Sequence, residues 1–337
     1  MIRIVGDTCF SDSDFDQGFG IGSQLKNNND ILSQISKNQG DIWLGNLECV
    51  VSDTTENKTG VNNFRISEEE FLKSTQLDIY SVANNHSMQH GHEAFRNTLT
   101  AVEKVGKHVG SVDQKHIIIN HKDTTYGIIS FSLRNEVFYN PALYWLSPDF
   151  SEIESEYDQI KKTQVKIAYI HWGNEFINYP NVEQKRFAHL LIDIGFDLII
   201  GTHPHVLQGY EVYKGKYIFY SIGNFLFNMS SQSTKFSVVV NVDYLNNIKV
   251  SYDYIYIKNG IPDFVSVESV PTEYRFETIN SLIYLTDDNE IYYAKMFKER
   301  AKYQIENRLW ILKTLHKHKF SDIVEIVTSF IKRKIKI

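Results

Sequence analysis

Five short polar segments, each directly after an apolar run, carry side chains that can bind a metal ion. Together they offer two carboxylates, one amide and three imidazoles, a mixed oxygen and nitrogen set that suits borderline divalent ions such as Zn, Mn or Fe(II). A calcium site built from oxygen alone, or a thiolate zinc site, would need other residues. The pattern predicts a centre that binds a divalent ion. The candidate ligands are Asp7, Glu48, Asn85, His171, His203 and His205.

Two of these ligands are separated by one residue, in His203-Pro204-His205. Pro204 excludes a helix interior, and the side-chain period of two in an extended segment places both imidazoles on one side. Each candidate ligand, taken alone, also has a structural explanation, because a His or Asp at a strand end commonly hydrogen-bonds a turn. The recurrence of the same arrangement in five segments favours a shared site.

Strands and helices alternate through the first part of the chain, so the polar segments fall at the carboxyl ends of strands. This alternation is typical of an α/β fold, in which ligand sites gather at the strand ends. The predicted strands lie at 2–5, 41–44, 77–82, 165–170 and 197–200. The predicted helices are a short one capped by Asp30, one opened by the capping-box pair Ser67 and Glu70, and two with an apolar face at 95–102 and 187–194.

The pattern then changes. Residues 117–119 and 126–131 predict a hairpin, and the Tyr-, Phe- and Val-rich stretch 217–256 predicts several antiparallel strands. From about Asn289 the chain is predicted to be helical to its end.

Composition limits the class of protein. The 337 residues are 42% hydrophobic and 23% charged, which supports a folded core and excludes a disordered chain. A net charge of -6 and a pI near 6.1 argue against a nucleic-acid partner. Two cysteines, Cys9 and Cys49, provide no disulfide framework. No signal-peptide pattern or membrane-spanning stretch is seen in the sequence, which predicts a location in the cytoplasm or peripheral to the membrane.

Charge divides the chain into two parts. From Lys295 onward, 12 Lys and Arg face 4 Asp and Glu, whereas the preceding part has 23 against 37. We therefore expect one domain over residues 1–270 and a basic helical C-terminal extension over 289–337. The apolar residues between 323 and 331, followed by a basic end, fit a helix lying on an anionic membrane surface. They also fit a helix packed on the body with solvated lysines.

Four strings resemble, in chain order, the motifs of the bacterial capsule-synthesis CapA family, the poly-γ-glutamate capsule proteins. That family is similar in turn to the calcineurin-like metallophosphoesterases. The likeness runs from about Ile2 to Phe227. It implies a metallophosphatase-like four-layer sandwich, two facing mixed β-sheets flanked by helices, here followed by a C-terminal helical tail. The strings are Ala83-Asn84-Asn85-His86, His171-Trp172-Gly173, Gly201-x-His203-Pro204-His205-Val206-x-Gln208 and Tyr220-Ser221-x-Gly223-Asn224-Phe225.

The resemblance also implies roles for the candidate ligands, with Glu48 bridging two ions. A water between two such ions loses a proton and attacks phosphorus in line. His86 then serves as the general acid at the leaving oxygen or stabilises charge on the phosphoryl group. The first ion is held by Asp7, Glu48 and His205, and the second by Glu48, Asn85, His171 and His203.

The sequence departs from the related patterns at three positions. Phosphoesterases generally carry Asp-x-His first, whereas Cys9 follows Asp7 here, so the first ion loses a nitrogen ligand unless the Cys9 thiolate replaces it. Gln89 stands where the CapA pattern usually has Asp, and it can hydrogen-bond His86 without supplying charge. Glu48 lies in Gly-Asn-Leu-Glu rather than in Gly-Asp-x-x-Asp.

Other polar side chains are expected around the ligands. Glu175 is either an acidic partner that orients His171 or a solvated loop carboxylate. Arg65 and Arg134 either meet an anionic substrate or lie on the surface. The remaining residues expected beside the ligands are Asn46, Asn84 and Asn224.

Two functions remain open at this point. The first is a metal-dependent, phosphoesterase-like hydrolase of capsule or exopolysaccharide biosynthesis, with amide-bond chemistry on a polyglutamate polymer as a further possibility. The second is a non-catalytic component that binds polymer or a synthase. The expected partners are an anionic polymer or phosphoester substrate, capsule synthase components, and a membrane surface contacted through the C-terminal helix.

Overall fold

A computed structural model of the chain describes residues 1–13, 16–27, 32–33, 35, 37–56, 63–74, 77–284, 288–318 and 323. Its first sheet is mixed, with strand order β16-β15-β14-β1-β2-β5-β6 and β13 also paired to β1. The β1, β2, β5 and β6 strands run parallel, whereas β14, β15 and β16 continue from β1 in antiparallel pairs. The strands are β1 (Ile2–Thr8), β2 (Ile42–Leu47), β5 (Ile79–Ser81), β6 (Lys107–Val109), β13 (Asn224–Leu226), β14 (Phe236–Tyr244), β15 (Ile248–Lys258) and β16 (Ile261–Phe264).

The second sheet is also mixed, in the order β11-β12-β10-β9-β8-β7. Its four central strands are parallel, and an antiparallel strand closes each edge. A small parallel pair joins β3 (Val50–Val51) to β4 (Arg65–Ile66). The strands of the second sheet are β7 (His116–His121), β8 (Thr124–Ser132), β9 (Val165–His171), β10 (Leu198–Thr202), β11 (Leu207–Tyr213) and β12 (Lys216–Ile222).

The two sheets face each other across one hydrophobic core. The β9 strand shows how its residues are distributed: Ile167 and Tyr169 enter the core between the sheets, whereas Ala168 and Ile170 pack on the opposite face. This period of two, apolar on both sides, is the pattern of a strand covered on both faces. Helices supply the outer cover, and they are α1 (Ile21–Asn27), α2 (Glu68–Ser74), α3 (His92–Glu103), α4 (Phe150–Ile160), α5 (Val182–Ile194), α6 (Phe276–Ile283) and α7 (Asn289–Thr314).

The helices α1 to α5 divide between the two outer faces, whereas α6 buries Phe276 and Ile279 in the core between the sheets. Leu25 of α1, Phe71 of α2 and Val102 of α3 share a buried cluster with the first sheet. Ile153 of α4 and Leu191 of α5 share another with the second sheet. The result is a layered helix–sheet–sheet–helix arrangement, and the expected four-layer α/β fold is confirmed.

Most predicted elements lie where the sequence places them. The capping box is formed, since Ser67 Oγ accepts from Glu70 N at 3.3 Å and donates to Glu70 Oε2 at 2.7 Å. The hairpin is formed by β7 and β8. Within 217–256 the expectation holds for β14 and β15, whereas β12 is parallel to β10 on one side and antiparallel to β11 on the other.

The helix predicted after Asp30 lies largely outside the described residues, as does Asp30 itself, its expected cap; of the described part, Leu32 lies in a turn and Ile35 in a bend. The α1 helix, which was not predicted, precedes this segment, and Asp12 accepts hydrogen bonds from Ser23 N and Ser23 Oγ at 2.8 and 2.6 Å. Because Asp12 lies eleven residues upstream of Ser23, no local spacing indicates this helix.

The C-terminal part is helical through α7. The expected boundaries at 1–270 and 289–337 stay a prediction, and most of the segment proposed to meet a membrane lies outside the described residues. Among the described helices, none has the length and apolar character required to cross a bilayer.

Candidate metal centre

The predicted ligands meet where parallel strands of both sheets end. Asp7 lies near the end of β1, and Glu48 follows β2. His171 ends β9, and His203 directly follows β10. Because the carboxyl ends of parallel strands lie at one edge of a sheet, and the two sheets face each other, these side chains point into a common region.

The first group of donors consists of Asp7, Glu48 and His205, all buried, with one ligand atom of each within 4.8 Å of the others. His205 Nδ1 lies 3.3 Å from Asp7 Oδ2, and His205 Nε2 lies 3.6 Å from Glu48 Oε1. These are the residues that the family resemblance implies for the first ion.

The second group consists of Glu48, His171 and His203, again buried and within 4.8 Å. Asn85 joins it, because its Oδ1 lies 2.9 Å from His171 Nε2. Glu48 therefore belongs to both groups, as a bridging carboxylate must. The structure brings all six predicted donors together, and their roles as ligands stay a prediction.

The His203-Pro204-His205 segment is not extended, contrary to the expectation from side-chain alternation. His203 and His205 have φ angles of 93° and 60°, in the left-handed region. For a residue with a Cβ this conformation is strained and is found mainly where the surrounding structure enforces it. The bend holds the two imidazole centroids 6.0 Å apart.

Three buried atoms of the site have no hydrogen-bond partner: Glu48 Oε1 and both ring nitrogens of His203. A buried polar atom without a partner costs about 1–3 kcal/mol. A metal ion would accept lone pairs from the carboxylate oxygen and from one imidazole nitrogen. The donor set therefore fits a divalent ion on the evidence of the side chains alone.

The electrostatics point the same way. Burial, and then the neighbouring Asp7 carboxylate, hold the pKa of Glu48 well above its ordinary value. Burial also raises the pKa of Asp7, but the hydrogen bond and charge of His205 outweigh it and leave that pKa below its ordinary value. Burial lowers the pKa of His171 to about 3 and that of His203 well below its ordinary value. The imidazoles of His171 and His203 are therefore held neutral, the state that binds a cation. Burial also lowers the pKa of His205, but the hydrogen bond and charge of Asp7 outweigh it and leave that pKa above its ordinary value, so an ion bound there would displace a proton.

His86 lies at the side of this centre. Its Nδ1 is 2.6 Å from Gln89 Oε1, and its Nε2 is 3.9 Å from Glu48 Oε1. Phe64 stacks on the His86 ring with centroids 3.9 Å apart and an interplanar angle of 12°. Gln89 thus makes the hydrogen bond expected of it. The contact of Phe64 with His86 was not predicted. It depends on a left-handed backbone at Phe64, with φ 55°, and the spacing of neighbouring residues does not indicate this conformation.

Three asparagines connect the ligands to one another. Asn46 Nδ2 donates to Asp7 Oδ1 at 2.8 Å, and Asn84 Nδ2 donates to Asn46 Oδ1 at 3.0 Å. Asn224 Oδ1 lies 2.9 Å from His205 Nδ1. The supporting positions expected from the sequence are therefore occupied by side chains that contact the donors or one another.

Cys9 is placed outside the donor groups. Its Sγ lies 3.2 Å from Ser11 Oγ, and it packs in the cluster between the first sheet and its helices. Burial and the neighbouring Cys49 thiol raise the pKa of Cys9 well above its ordinary value. Cys9 is in none of the donor groups, and a role for its thiolate as the missing ligand stays a prediction.

Glu175 also differs from expectation. Its carboxylate lies within 4.8 Å of donor nitrogens of His203 and His205. His171 is instead oriented by Asn85 and by Thr202, whose Oγ1 lies 3.2 Å from His171 Nδ1. Thr202 was not predicted, although it precedes the His-Pro-His string directly.

Of the two arginines considered, Arg134 lies near the centre. It donates to the Gly173 carbonyl, and its charge contributes to the low pKa values of His171 and His203. Arg65 donates instead to the Ser52 carbonyl at 2.8 Å.

Comparison with known proteins identifies relatives of this chain. The chain is 28% identical over 227 residues to the capsule biosynthesis protein CapA of Bacillus anthracis, an alignment that covers 61% of this chain and 55% of that one. It is 33% identical over 182 residues to the PGA biosynthesis protein CapA of Bacillus subtilis, covering 50% and 47%. The chain thus spans about half the length of these relatives.

A 5'-nucleotidase precursor from Thermus thermophilus has a solved structure that superposes with a TM-score of 0.45 at 12% identity, covering 83% of this chain and 57% of that one. The bacterial capsule synthesis protein family PGA_cap matches residues 4–229, which include every candidate ligand. Since that match covers about two thirds of the sequence, the chain belongs to the PGA_cap family of bacterial capsule synthesis proteins.

Proposed function

We propose that this protein is a divalent-metal hydrolase of capsule or exopolysaccharide biosynthesis, of the poly-γ-glutamate type, and that it cleaves a phosphoester. The observation that carries the proposal is Glu48, a buried carboxylate shared by two donor groups, with an oxygen that lacks a hydrogen-bond partner. The names of the two Bacillus relatives support the capsule setting.

The ions proposed are Mn, Fe or Zn, one or two in number. Asp7, Glu48 and His205 would hold one, and Glu48, Asn85, His171 and His203 the other. When bound, such ions polarise phosphoryl oxygens and make water acidic enough to attack at neutral pH. The asparagines at 46, 84 and 224 keep the protein donors in place before any ion arrives.

His86 is the proposed proton donor. Gln89 Oε1 accepts from His86 Nδ1–H, which directs Nε2 toward Glu48 and the centre. In its protonated form His86 gives the Nε2 proton to the leaving ester oxygen as the P–O bond breaks. The proton lost by the attacking water then recharges the imidazole or passes to solvent. Stacking on Phe64 restricts the ring to this orientation.

Arg134 is proposed to attract the substrate. The fold leaves its side chain one-fifth exposed, with Glu136 as its ion-pair partner and the Gly173 carbonyl as a second acceptor. A phosphoester on an anionic polymer carries the charge that such a group recognises. A synthase component is the second proposed partner.

The test is the metal content of the purified protein, followed by Mn²⁺-dependent turnover of a generic aryl phosphate. Wild-type protein should hold one or two ions and turn over the ester. The His205→Ala variant should lose bound metal and activity together. His86→Gln should keep its metal and lose about 100-fold or more in kcat, the usual contribution of a proton donor. His316→Ala, an exposed histidine after α7, is the matched control and should behave as wild type.

Wild-type protein that binds no divalent ion would overturn the proposal. Bound metal without turnover, together with intact capsule output from cells carrying Asp7→Ala or His205→Ala, would instead support a non-catalytic component that binds polymer or a synthase.

A further inference from the structure

The loop between β9 and α5 brings a third carboxylate to the centre. Glu175 lies four residues after His171, and one of its oxygens is within 4.8 Å of donor nitrogens of His203 and His205. His205 also belongs to the group formed with Asp7 and Glu48. Glu175 is therefore adjacent to the first group of donors.

That first group leaves room for a further protein ligand. Asp7, Glu48 and His205 offer three donors, the number that a catalytic zinc site takes from protein, whereas an octahedral manganese ion has three more positions to fill. Cys9 is in none of the donor groups, and its sulfur contacts Ser11. A carboxylate oxygen is a suitable further donor for any of the ions considered.

The residues on either side of Glu175 are held by α7. Asn174 Nδ2 donates to Tyr292 Oη at 2.8 Å, and Arg300 Nη2 lies 3.5 Å from Asn174 Oδ1. Phe176 stacks on Tyr303 with ring centroids 3.4 Å apart and an interplanar angle of 8°. Glu175 thus lies between two residues that are both fixed by one helix.

The loop is also tied to the His-Pro-His segment. Phe176 N donates to the Pro204 carbonyl at 2.8 Å, and the Phe176 ring lies 6.1 Å from the His205 ring. Phe176 has φ 66°, a left-handed conformation that for an aromatic residue must be enforced by its contacts. The contacts with α7 and the hydrogen bond to Pro204 together orient the loop backbone, so that the Glu175 side chain faces His203 and His205.

We propose that Glu175 is a further metal ligand that completes the donor group around His205, and that α7 sets its position. This inference rests on the proposed metal centre. The α7 helix lies beyond residues 4–229, so the contacts that position Asn174 and Phe176 from α7 come from a part of the chain that the family match does not cover.

The test measures Mn²⁺ affinity by isothermal titration calorimetry, with no substrate present. Glu175→Gln keeps the size of the side chain and removes its charge. It should weaken Mn²⁺ binding by about 10- to 100-fold, because losing even a residue that only hydrogen-bonds a metal ligand lowers metal affinity by that factor. Glu154→Gln makes the same change on the exposed face of α4 and should leave the affinity unchanged.

The role of α7 is tested by a double-mutant cycle. Tyr303→Ala removes the stack on Phe176 and should weaken Mn²⁺ binding several-fold in the wild-type background, but not in the Glu175→Gln background. Phe297→Ala removes an aromatic ring that is 68% exposed on the same helix, and it should change neither background.

The two proposals fail in different ways. No Mn²⁺ binding by wild-type protein overturns the metal centre and this inference together. Mn²⁺ binding that is equal in wild type and Glu175→Gln overturns this inference alone. An equal effect of Tyr303→Ala in both backgrounds overturns the positioning role of α7.

Discussion

Gly6 occupies the closest approach between β1 and the segment that enters β13. A Cβ at this position would lie 1.7 Å from the Gly223 carbonyl oxygen and 2.8 Å from its carbon. Ordinary contact begins at 3.4 Å, and both obstructing atoms are backbone, so no side-chain rotation can make room. The Gly6→Ala variant must therefore separate β1 from β13, which breaks the hydrogen bond of 3.1 Å from Asp7 N to Gly223 O.

The expected cost is at the upper end of the range for overpacking, about 3 kcal/mol or more of unfolding free energy. The same separation moves Asp7 away from His205 by more than the roughly 0.2 Å that a metal–ligand distance tolerates. Gly6→Ala should therefore lose stability and Mn²⁺ affinity together.

Urea unfolding and calorimetric titration with Mn²⁺ measure the two effects. Gly40→Ala is the control, because φ is 85° at Gly40 and a Cβ there meets no atom within 4 Å. Gly40→Ala should lower the unfolding free energy only by the strain of a left-handed alanine, about 1–2 kcal/mol. Its Mn²⁺ affinity should equal that of the wild type. A Gly6→Ala protein as stable as Gly40→Ala, or one that binds Mn²⁺ like wild type, would refute the steric argument.

Two further predictions concern buried groups near the first sheet. Cys9→Ser should leave Co²⁺ affinity unchanged, and the Co²⁺-loaded wild type should show no thiolate-to-metal absorption band; a band lost on substitution would place sulfur among the ligands. Burial, and then the charge of Asp12, raise the pKa of Asp16 from 3.8 to about 7. Because the folded state then holds this proton more tightly than the unfolded state, the unfolding free energy should fall as pH rises from 3.8 to about 7. Asp16→Asn should lack that part of the slope in urea unfolding at a series of pH values, and an unchanged slope would contradict the assignment.

Periodicity within a short window indicated the alternation of strands and helices, whereas the two facing sheets were expected from the family resemblance. The strand at 165–170 and the Ser67–Glu70 pair are local signals, and both are formed as predicted. The α1 helix was not predicted, because its cap is supplied by Asp12 from outside the window. Contacts between residues separated by a loop cannot be predicted from the spacing of neighbouring residues.

The candidate centre shows the same limit. Residue type and position after a strand were enough to select the donors, because parallel strands bring their carboxyl ends together. The backbone of His203 and His205 was predicted wrongly, since left-handed φ angles arise from tertiary constraint rather than from sequence period. The contact of Phe176 with Tyr303 joins residues more than a hundred positions apart, so the environment of Glu175 could only come from the folded structure.

The position of β1 inside its sheet has a consequence for synthesis of the protein. One side of this strand pairs with β2, and the other side pairs with β13 and β14, whose residues follow about 220 to 240 positions later. At roughly 5–20 residues per second, a nascent chain leaves that edge open for about 10 to 50 seconds. An apolar strand with a free edge invites pairing with other chains. Production in cells should therefore depend on chaperones that cover this edge, and loading with metal should follow release from the ribosome.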